Sequence, residues 1–259
     1  GGGPVSLDPP PPLRAGVPVA GAAEGTLKLP AGTPLGGFTA RCECFGGSAW
    51  KDERDSAYAT GFNVSTGVHI RPTIKALWIE NGDQHLVITK TDTAYSFDGL
   101  VAAVTSRLEV ETGLDLAGQV MHTANHNHSS YGTFSAHTAL FLGSDRFQRE
   151  NFERMADQIA DVALEAYRRR EAASIGIGWS KNWDPDDQVY SDRRPENDAL
   201  VIWEDAGAEQ GQKDPYMQMI RVDSAEDGRP LAVAMSWGMH PFVFGADSSL
   251  ATADATALV

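Results

Sequence analysis

Two histidines separated by one residue are the side chains in this sequence whose types and spacing best suit chemistry. His126 and His128 lie in the segment Asn125-His126-Asn127-His128-Ser129, just after the apolar run Ala117 to Met121. If that run is a strand, residues at i and i+2 point to the same face, so both imidazoles would lie side by side at the carboxyl end of the strand. Imidazole is a common metal ligand and titrates near neutral pH. The spacing therefore suggests a metal-dependent hydrolase.

A simpler interpretation stays open, because polar loops also carry His, Asn and Ser for turn chemistry alone. A further histidine, His240, follows the predicted strand Leu231 to Ser236. It could be a buried, hydrogen-bonded residue. Alternatively, two strand ends could bring their histidines to one ion, since zinc sites commonly combine a close ligand pair with distant ligands.

The elements that must position these histidines follow from the hydrophobic pattern. Asn81-Gly82 between two apolar runs predicts a β-hairpin, and Gly113 predicts the C-terminal cap of a helix over 97–112. An apolar stripe predicts a long helix that starts at Ser144 or Asp145 and runs to about Arg170. Further strands are predicted at 117–123, 173–179, 199–203, 217–222 and 231–236. Mixed helices and strands indicate a layered α/β fold.

Composition narrows the classes of function. The 259 residues carry a formal net charge of −14, which argues against a nucleic-acid partner, and no apolar run is long enough to span a membrane. Residues 1–26 are rich in Pro, Gly and Ala and predict an arm or linker outside the core. Cys42 and Cys44 lie near the upper limit of disulfide geometry if extended, so their role is left open between a structural and a redox detail.

Five segments, taken in order, resemble one known family. They are Pro34-Leu35-Gly36-Gly37-Phe38, the stretch 66–92 that ends in Thr91-Asp92, the segment 125–129, Arg193-Arg194-Pro195, and His240 followed by Asp254. Together they resemble the N-terminal part of the catalytic domain of the neutral/alkaline (non-lysosomal) ceramidases, which are zinc amidases that cleave the N-acyl bond of ceramide.

The resemblance implies specific roles. His126 and His240 would be Zn²⁺ ligands, and His128 would lie beside the metal as a transition-state or proton-handling residue. Arg193 (or Arg194) would bind the developing oxyanion or the substrate carbonyl, although it could also pair with surface carboxylates. The expected activity is hydrolysis of a linear amide, in ceramide or a related N-acyl amine, by a secreted or periplasmic enzyme of lipid metabolism.

Departures from the family pattern limit this expectation. Asn125 and Asn127 stand where the family has threonines, and Asp192 stands where Asn is usual. The family's remaining ligands, a Glu and a Tyr, come from beyond Val259. We therefore expect residues 27–259 to form layered mixed β-sheets flanked by helices, an incomplete domain that a second chain or a missing C-terminal part completes. The companion chain would supply the remaining zinc ligands.

Two other functions stay open. One is an amidase matured by chain cleavage, with an N-terminal nucleophile on the partner chain. The other is a non-catalytic module that binds a lipid or another ligand on a ceramidase-like scaffold.

Overall fold

A seven-stranded sheet forms the centre of the computed structural model, which describes residues 16–45, 54–181, 216–241 and 243–258 together with residues 183, 184, 186, 188, 189 and 214. The strand order is β5-β4-β3-β1-β6-β7-β8. Its strands are β1 (Val19–Thr26), β3 (Thr73–Asn81), β4 (Gln84–Thr91), β5 (Val120–Ala124), β6 (Glu171–Lys181), β7 (Tyr216–Ser224) and β8 (Pro230–Trp237). A small parallel pair joins β2 (Gly67–Val68) to β9 (Leu250–Ala251). The mixed α/β architecture confirms the predicted fold class.

The prediction of an arm over residues 1–26 is wrong for its last eight residues. Val19–Thr26 forms β1, an inner strand that pairs along its whole length with β3. Its small side chains let a helix approach the backbone closely: a Cβ at Gly21 would lie 2.2 Å from the Ala166 carbonyl oxygen. The small residues that allow this close packing also make β1 resemble a linker in sequence, because the strand lacks large apolar side chains. Residues 1–15 lie outside the described part of the chain.

Helices cover one face of the sheet. They are α1 (Asp98–Thr112) and α3 (Arg149–Arg168), whereas the short α2 (Phe141–Ser144) packs among the loops. The predicted C-terminal cap at Gly113 is confirmed, with φ of 70° and an amide that donates to the Glu109 carbonyl. The larger hydrophobic core lies between these helices and the sheet and is built around Trp78, Leu100, Leu108, Met155 and Ile159.

The opposite face of the sheet is covered by three of its own strands, β6, β7 and β8. β6 pairs with β1 through only two residues and then continues with β7 and β8. We call these three strands the wing. Its apolar residues pack on the far face of β3 and β4 in a smaller core around Ala20, Leu77, Ala173 and Val222. This packing folds the wing over the sheet and explains how the segment after β8 reaches the segment after β5.

The long helix begins later than predicted, for an identifiable reason. The long helix begins at Arg149 and not at Ser144 or Asp145. Asp145, with φ of 62°, accepts hydrogen bonds from Thr60 N and Arg146 N, both at 2.7 Å, so its carboxylate serves a loop far away in the sequence. The predicted strand 199–203 lies outside the described residues. No helix in the described part of the chain is long and apolar enough to cross a membrane.

Candidate metal centre

Three imidazoles meet at the surface of the protein. The Nε2 atom of His128 lies 3.2 Å from Nε2 of His126 and 3.0 Å from Nε2 of His240. The rings of His126 and His240 have centroids 4.7 Å apart. Since His126 and His240 are exposed, the cluster is accessible from solvent. The structure thus brings together the three histidines that the sequence singled out.

His126 reaches the cluster through a turn and not through strand alternation. β5 ends at Ala124, so the prediction that both histidines share one face of a strand is wrong. Backbone bonds from Asn125 N to Thr91 O and from Asn127 N to Thr93 O hold the loop, and His126 takes φ of 60°. A non-glycine residue rarely adopts this conformation, and such strain concentrates at functional sites.

A backbone carbonyl orients the His126 ring. Its Nδ1 lies 2.6 Å from the Ala94 carbonyl oxygen, so Nδ1–H donates to that oxygen and Nε2 faces the cluster. Metal-binding histidines commonly make this second hydrogen bond, which fixes the tautomer and the ring orientation. The Nε2 atom directed into the cluster is therefore the one prepared to bind a cation.

His128 is positioned by the segment Gly36-Gly37-Phe38. The Phe38 ring meets the His128 ring edge-on, with centroids 4.8 Å apart. Gly37 has φ of 110°, and a Cβ there would lie 2.5 Å from Cγ of His128. The backbone amide of Gly36 donates to the Ser130 carbonyl at 2.7 Å. The close approach requires glycine at position 37.

The two asparagines that depart from the family pattern have structural partners. Asn125 Nδ2 donates to Asp92 Oδ1 at 2.7 Å. Asn127 Nδ2 donates to the Thr252 carbonyl at 2.7 Å, and Asn127 Oδ1 accepts from Ser129 N. These amides tie the histidine loop to the end of β4 and to the segment that follows β9.

Two buried aspartates support the loops around the cluster. Asp92 is 1% exposed; its Oδ2 accepts from Thr73 N and Thr73 Oγ1, both at 2.7 Å, and its Oδ1 is paired with Lys90. Asp254, with φ of 55°, accepts from Val243 N at 2.8 Å, three residues beyond His240. Neither carboxylate belongs to the group of side chains that could bind a metal ion.

The donor types and spacing of the cluster are compatible with a divalent metal ion such as zinc. All the donor atoms lie within 4.8 Å of one another. Four ligands at about 2.05 Å from a tetrahedral zinc ion lie about 3.3 Å apart. The two Nε2 separations that involve His128, 3.2 Å to His126 and 3.0 Å to His240, are close to this value. Three imidazoles are also a donor set that zinc readily accepts.

Arg193 (or Arg194) is the remaining predicted site residue, and two further histidines, His122 and His137, lie near the histidine pair in sequence. Arg193 and Arg194 fall outside the described residues. His122 is buried on β5, with Nδ1 2.9 Å from Thr89 Oγ1 and Nε2 3.2 Å from Thr91 Oγ1, and burial lowers the pKa of His122 to about 4. His137 caps a 3-10 turn by accepting from Ala139 N. Neither residue belongs to the cluster.

One residue near the cluster escapes sequence reasoning. Arg41 is 1% exposed, and its guanidinium donates to the His128 carbonyl at 2.6 Å. An arginine in a polar loop normally predicts a surface residue, so no local pattern indicates this burial. The neighbouring Cys-Glu-Cys forms a disulfide between Cys42 and Cys44, which fixes the backbone beside Arg41. Tight 3-10 turns bring their Cα atoms to 5.2 Å, within the ordinary range for a disulfide.

The chain matches the sequence model of the neutral/alkaline non-lysosomal ceramidases, N-terminal, over residues 52–258. It is 24% identical over 190 residues to neutral ceramidase A of Dictyostelium discoideum, covering 71% of this chain and 25% of that protein. It is 28% identical over 185 residues to the neutral ceramidase of Pseudomonas aeruginosa, covering 70% of this chain and 26% of that protein.

The fold agrees with these relatives. The crystal structure of neutral ceramidase from Pseudomonas aeruginosa superposes with a TM-score of 0.73 at 22% identity, covering 92% of this chain and 34% of that chain. A second solved structure, of a ceramidase complexed with C2, gives a TM-score of 0.69. The chain therefore spans about a quarter of the length of its curated relatives and about a third of the solved one.

Proposed function

Because the chain belongs to the neutral/alkaline non-lysosomal ceramidase family, we propose that it forms part of a zinc-dependent amidase. Its reaction is hydrolysis of the N-acyl bond of ceramide or a related N-acyl amine. The observation that carries the proposal is the convergence of three imidazole Nε2 atoms from segments more than 100 residues apart. Surface loops that carry His for turn chemistry alone have no reason to converge in this way.

His126 and His240 would hold the zinc ion, and His128 lies between them. A zinc ion bound there would polarise the substrate carbonyl and lower the pKa of a water ligand to about 7. The hydrogen bond to the Ala94 carbonyl supports the ligand role of His126, because it orients the His126 ring with Nε2 towards the cluster. His128 would stabilise the transition state or transfer a proton, and Arg193 (or Arg194) would bind the developing oxyanion.

The three histidines are separable by mutation. His126→Ala and His240→Ala should lose both zinc and turnover, because each removes a ligand. His128→Ala should retain zinc and lose turnover if His128 handles a proton, and should lose both if it is a third ligand. Zinc content by elemental analysis and release of fatty acid from an N-acyl amine give the two readouts. Full activity of His126→Ala would contradict the assignment.

The same experiment addresses the non-catalytic alternative. A folded wild-type protein that takes up no zinc and releases no fatty acid would favour a lipid- or ligand-binding module. His137→Ala is a suitable control, since His137 lies outside the cluster and caps a 3-10 turn. It should keep zinc and turnover.

The proposed zinc site leaves two further points, the source of its remaining ligands and the cellular location of the protein. Any remaining protein ligand would come from residues beyond those described. A companion chain as its source has no support from the relatives, which contain the matching region within much longer chains, and it stays a prediction. We also propose a secreted or periplasmic location. The disulfide between Cys42 and Cys44 supports it, because disulfides persist in oxidising compartments.

A further inference from the structure

Arg41 is a buried cation whose five N–H donors all point at backbone carbonyls. It ends the 3-10 turn Thr39–Arg41 and is 1% exposed. Nη1 donates to Gly36 O at 3.1 Å and to His128 O at 2.6 Å. The remaining donors reach residues 245–248: Nε bonds Ala246 O at 3.2 Å, and Nη2 bonds Gly245 O at 3.4 Å and Ser248 O at 3.2 Å.

These acceptors belong to three segments that are distant in sequence. The first precedes Phe38, the second is the histidine loop, and the third is the loop between His240 and β9. A planar guanidinium with a fixed fork of donors can hold three backbone segments in one geometry, whereas a flexible ammonium cannot. Arg41 therefore fixes the histidine loop relative to the segment that follows His240.

Arg41 also acts on His128 through an aromatic ring. Its Cζ lies 5.0 Å from the centroid of the Phe38 ring, a cation–π distance, and that ring meets the His128 imidazole edge-on at 4.8 Å. Arg41 thus constrains His128 in two ways. Its guanidinium binds the His128 carbonyl, and the Phe38 ring beside that guanidinium packs against the His128 imidazole.

The backbone around Arg41 is itself fixed. The Arg41 carbonyl accepts from Asn63 N at 2.9 Å, and the next residue forms the Cys42–Cys44 disulfide. Burial lowers the pKa of Arg41 to about 10, opposed by nearby Asp247 and Asp254, so the side chain stays charged at neutral pH. Burying a charge is costly unless its hydrogen bonds are satisfied, and here every donor has an acceptor.

We propose that Arg41 is a positioning residue that holds His128 and the loop after His240 in the geometry the metal cluster needs. The proposal rests on the zinc-dependent function proposed above and adds to it a residue that touches neither the metal nor the substrate. Groups that orient metal ligands typically change metal affinity by about 10- to 100-fold when they are removed.

The test compares zinc affinity in wild type, Arg41→Lys and Arg41→Met, measured by competition with a chromophoric chelator. Arg41→Met should weaken zinc binding by about 10- to 100-fold. Arg41→Lys keeps the charge with three donors and should fall between wild type and Arg41→Met. Histidine ring resonances in NMR spectra of the zinc-free protein should shift for the cluster and stay in place for His122, which lies apart on β5.

Arg170→Met is the matched control. Arg170 is also largely buried, pairs with Glu80 and lies over the Tyr167 ring, with its Cζ 3.5 Å from the centroid. Its loss should lower the melting temperature without changing zinc affinity. A general loss of stability would therefore be distinguished from a loss of positioning.

Each outcome is decisive. Wild type that binds no zinc would overturn the proposed function itself. Wild type that binds zinc while folded Arg41→Met binds it within twofold would overturn the role of Arg41 and leave the function standing. Failure of both Arg41 variants to fold, judged by circular dichroism, would also overturn it, because Arg41 would then hold the fold and not the cluster.

Discussion

Single residues around the histidine cluster accept unusual backbone geometry so that side chains can meet. His126 has φ of 60° and Gly37 has φ of 110°, and both lie in contact with His128. Such positions persist only where surrounding contacts hold them in place. The cluster is thus preorganised by its loops.

Gly37→Ala tests this close packing. The added methyl group would lie 2.5 Å from Cγ of His128, and the alanine would have to adopt the positive φ of 110° that glycine has at this position. We expect His128 to be displaced, zinc affinity to fall, and the free energy of unfolding to drop by about 1–3 kcal/mol. Chelator competition and thermal melting measure the two effects. Gly176→Ala is the control, since a Cβ there has nothing within 4 Å, and an equal effect in both variants would contradict the argument.

His122 gives the protein a built-in acid sensitivity. Burial lowers its pKa from 6.5 to about 4. Between these values the unfolded chain binds more protons than the folded chain, so stability falls as the pH drops from about 6.5 towards 4. The loss reaches about 3 kcal/mol for such a shift.

His122→Gln keeps hydrogen-bonding groups for Thr89 and Thr91 without titrating. Urea unfolding at several pH values should show a shallower pH dependence for this variant than for wild type between pH 6.5 and 4. Parallel curves for the two proteins would show that His122 does not titrate as described.

Among the secondary-structure elements, those that depend on a local sequence pattern are the ones that the sequence predicts well. The hairpin around Asn81-Gly82 and the helix that Gly113 ends both formed as predicted. β1 escaped prediction because its glycines and alanines serve a helix brought against it by the tertiary fold. The approach of His240 to the other two histidines was expected from the order of the segments that resemble the ceramidase family. The burial of Arg41 has no corresponding pattern in the local sequence. Long-range backbone contacts decide such features.

Gly21→Val tests the packing of α3 on β1. A Cβ at Gly21 would lie 2.2 Å from Ala166 O and 2.8 Å from Arg170 N, which are backbone atoms that cannot move aside locally. We expect a loss of about 3 kcal/mol or more in the free energy of unfolding, because overpacking forces the helix away from the sheet. Chemical denaturation measures it. Gly178→Val on β6, where nothing lies within 4 Å of a Cβ, should change stability little.

The whole molecule is divided unequally between its two cores. The core under the helices is large, whereas the core under the wing has a few buried residues. Near the outer end of the wing, Ile177 is 83% exposed and Trp179 is 71% exposed. Stability is therefore concentrated in β1, β3, β4 and the helices.

Hydrogen exchange should reveal this division. We expect amides in the outer half of β6 and in β8 to exchange before those of β1, β3 and β4, because fewer apolar contacts protect them. Exchange followed by mass spectrometry of peptides gives the order. Simultaneous exchange of the wing and the main sheet in the metal-free protein would contradict this view of the two cores.

The histidine cluster joins segments that follow the two edge strands of the sheet, β5 and β8. His126 and His240 are 114 residues apart (240 − 126). An ion shared by them would act as a cross-link that closes a very long loop, and such closures restrict the unfolded chain most strongly. Binding of the ion should then couple the two parts of the sheet. The weakly packed outer strands would unfold together with the helices as one cooperative unit, although these strands lie far from the reacting atoms.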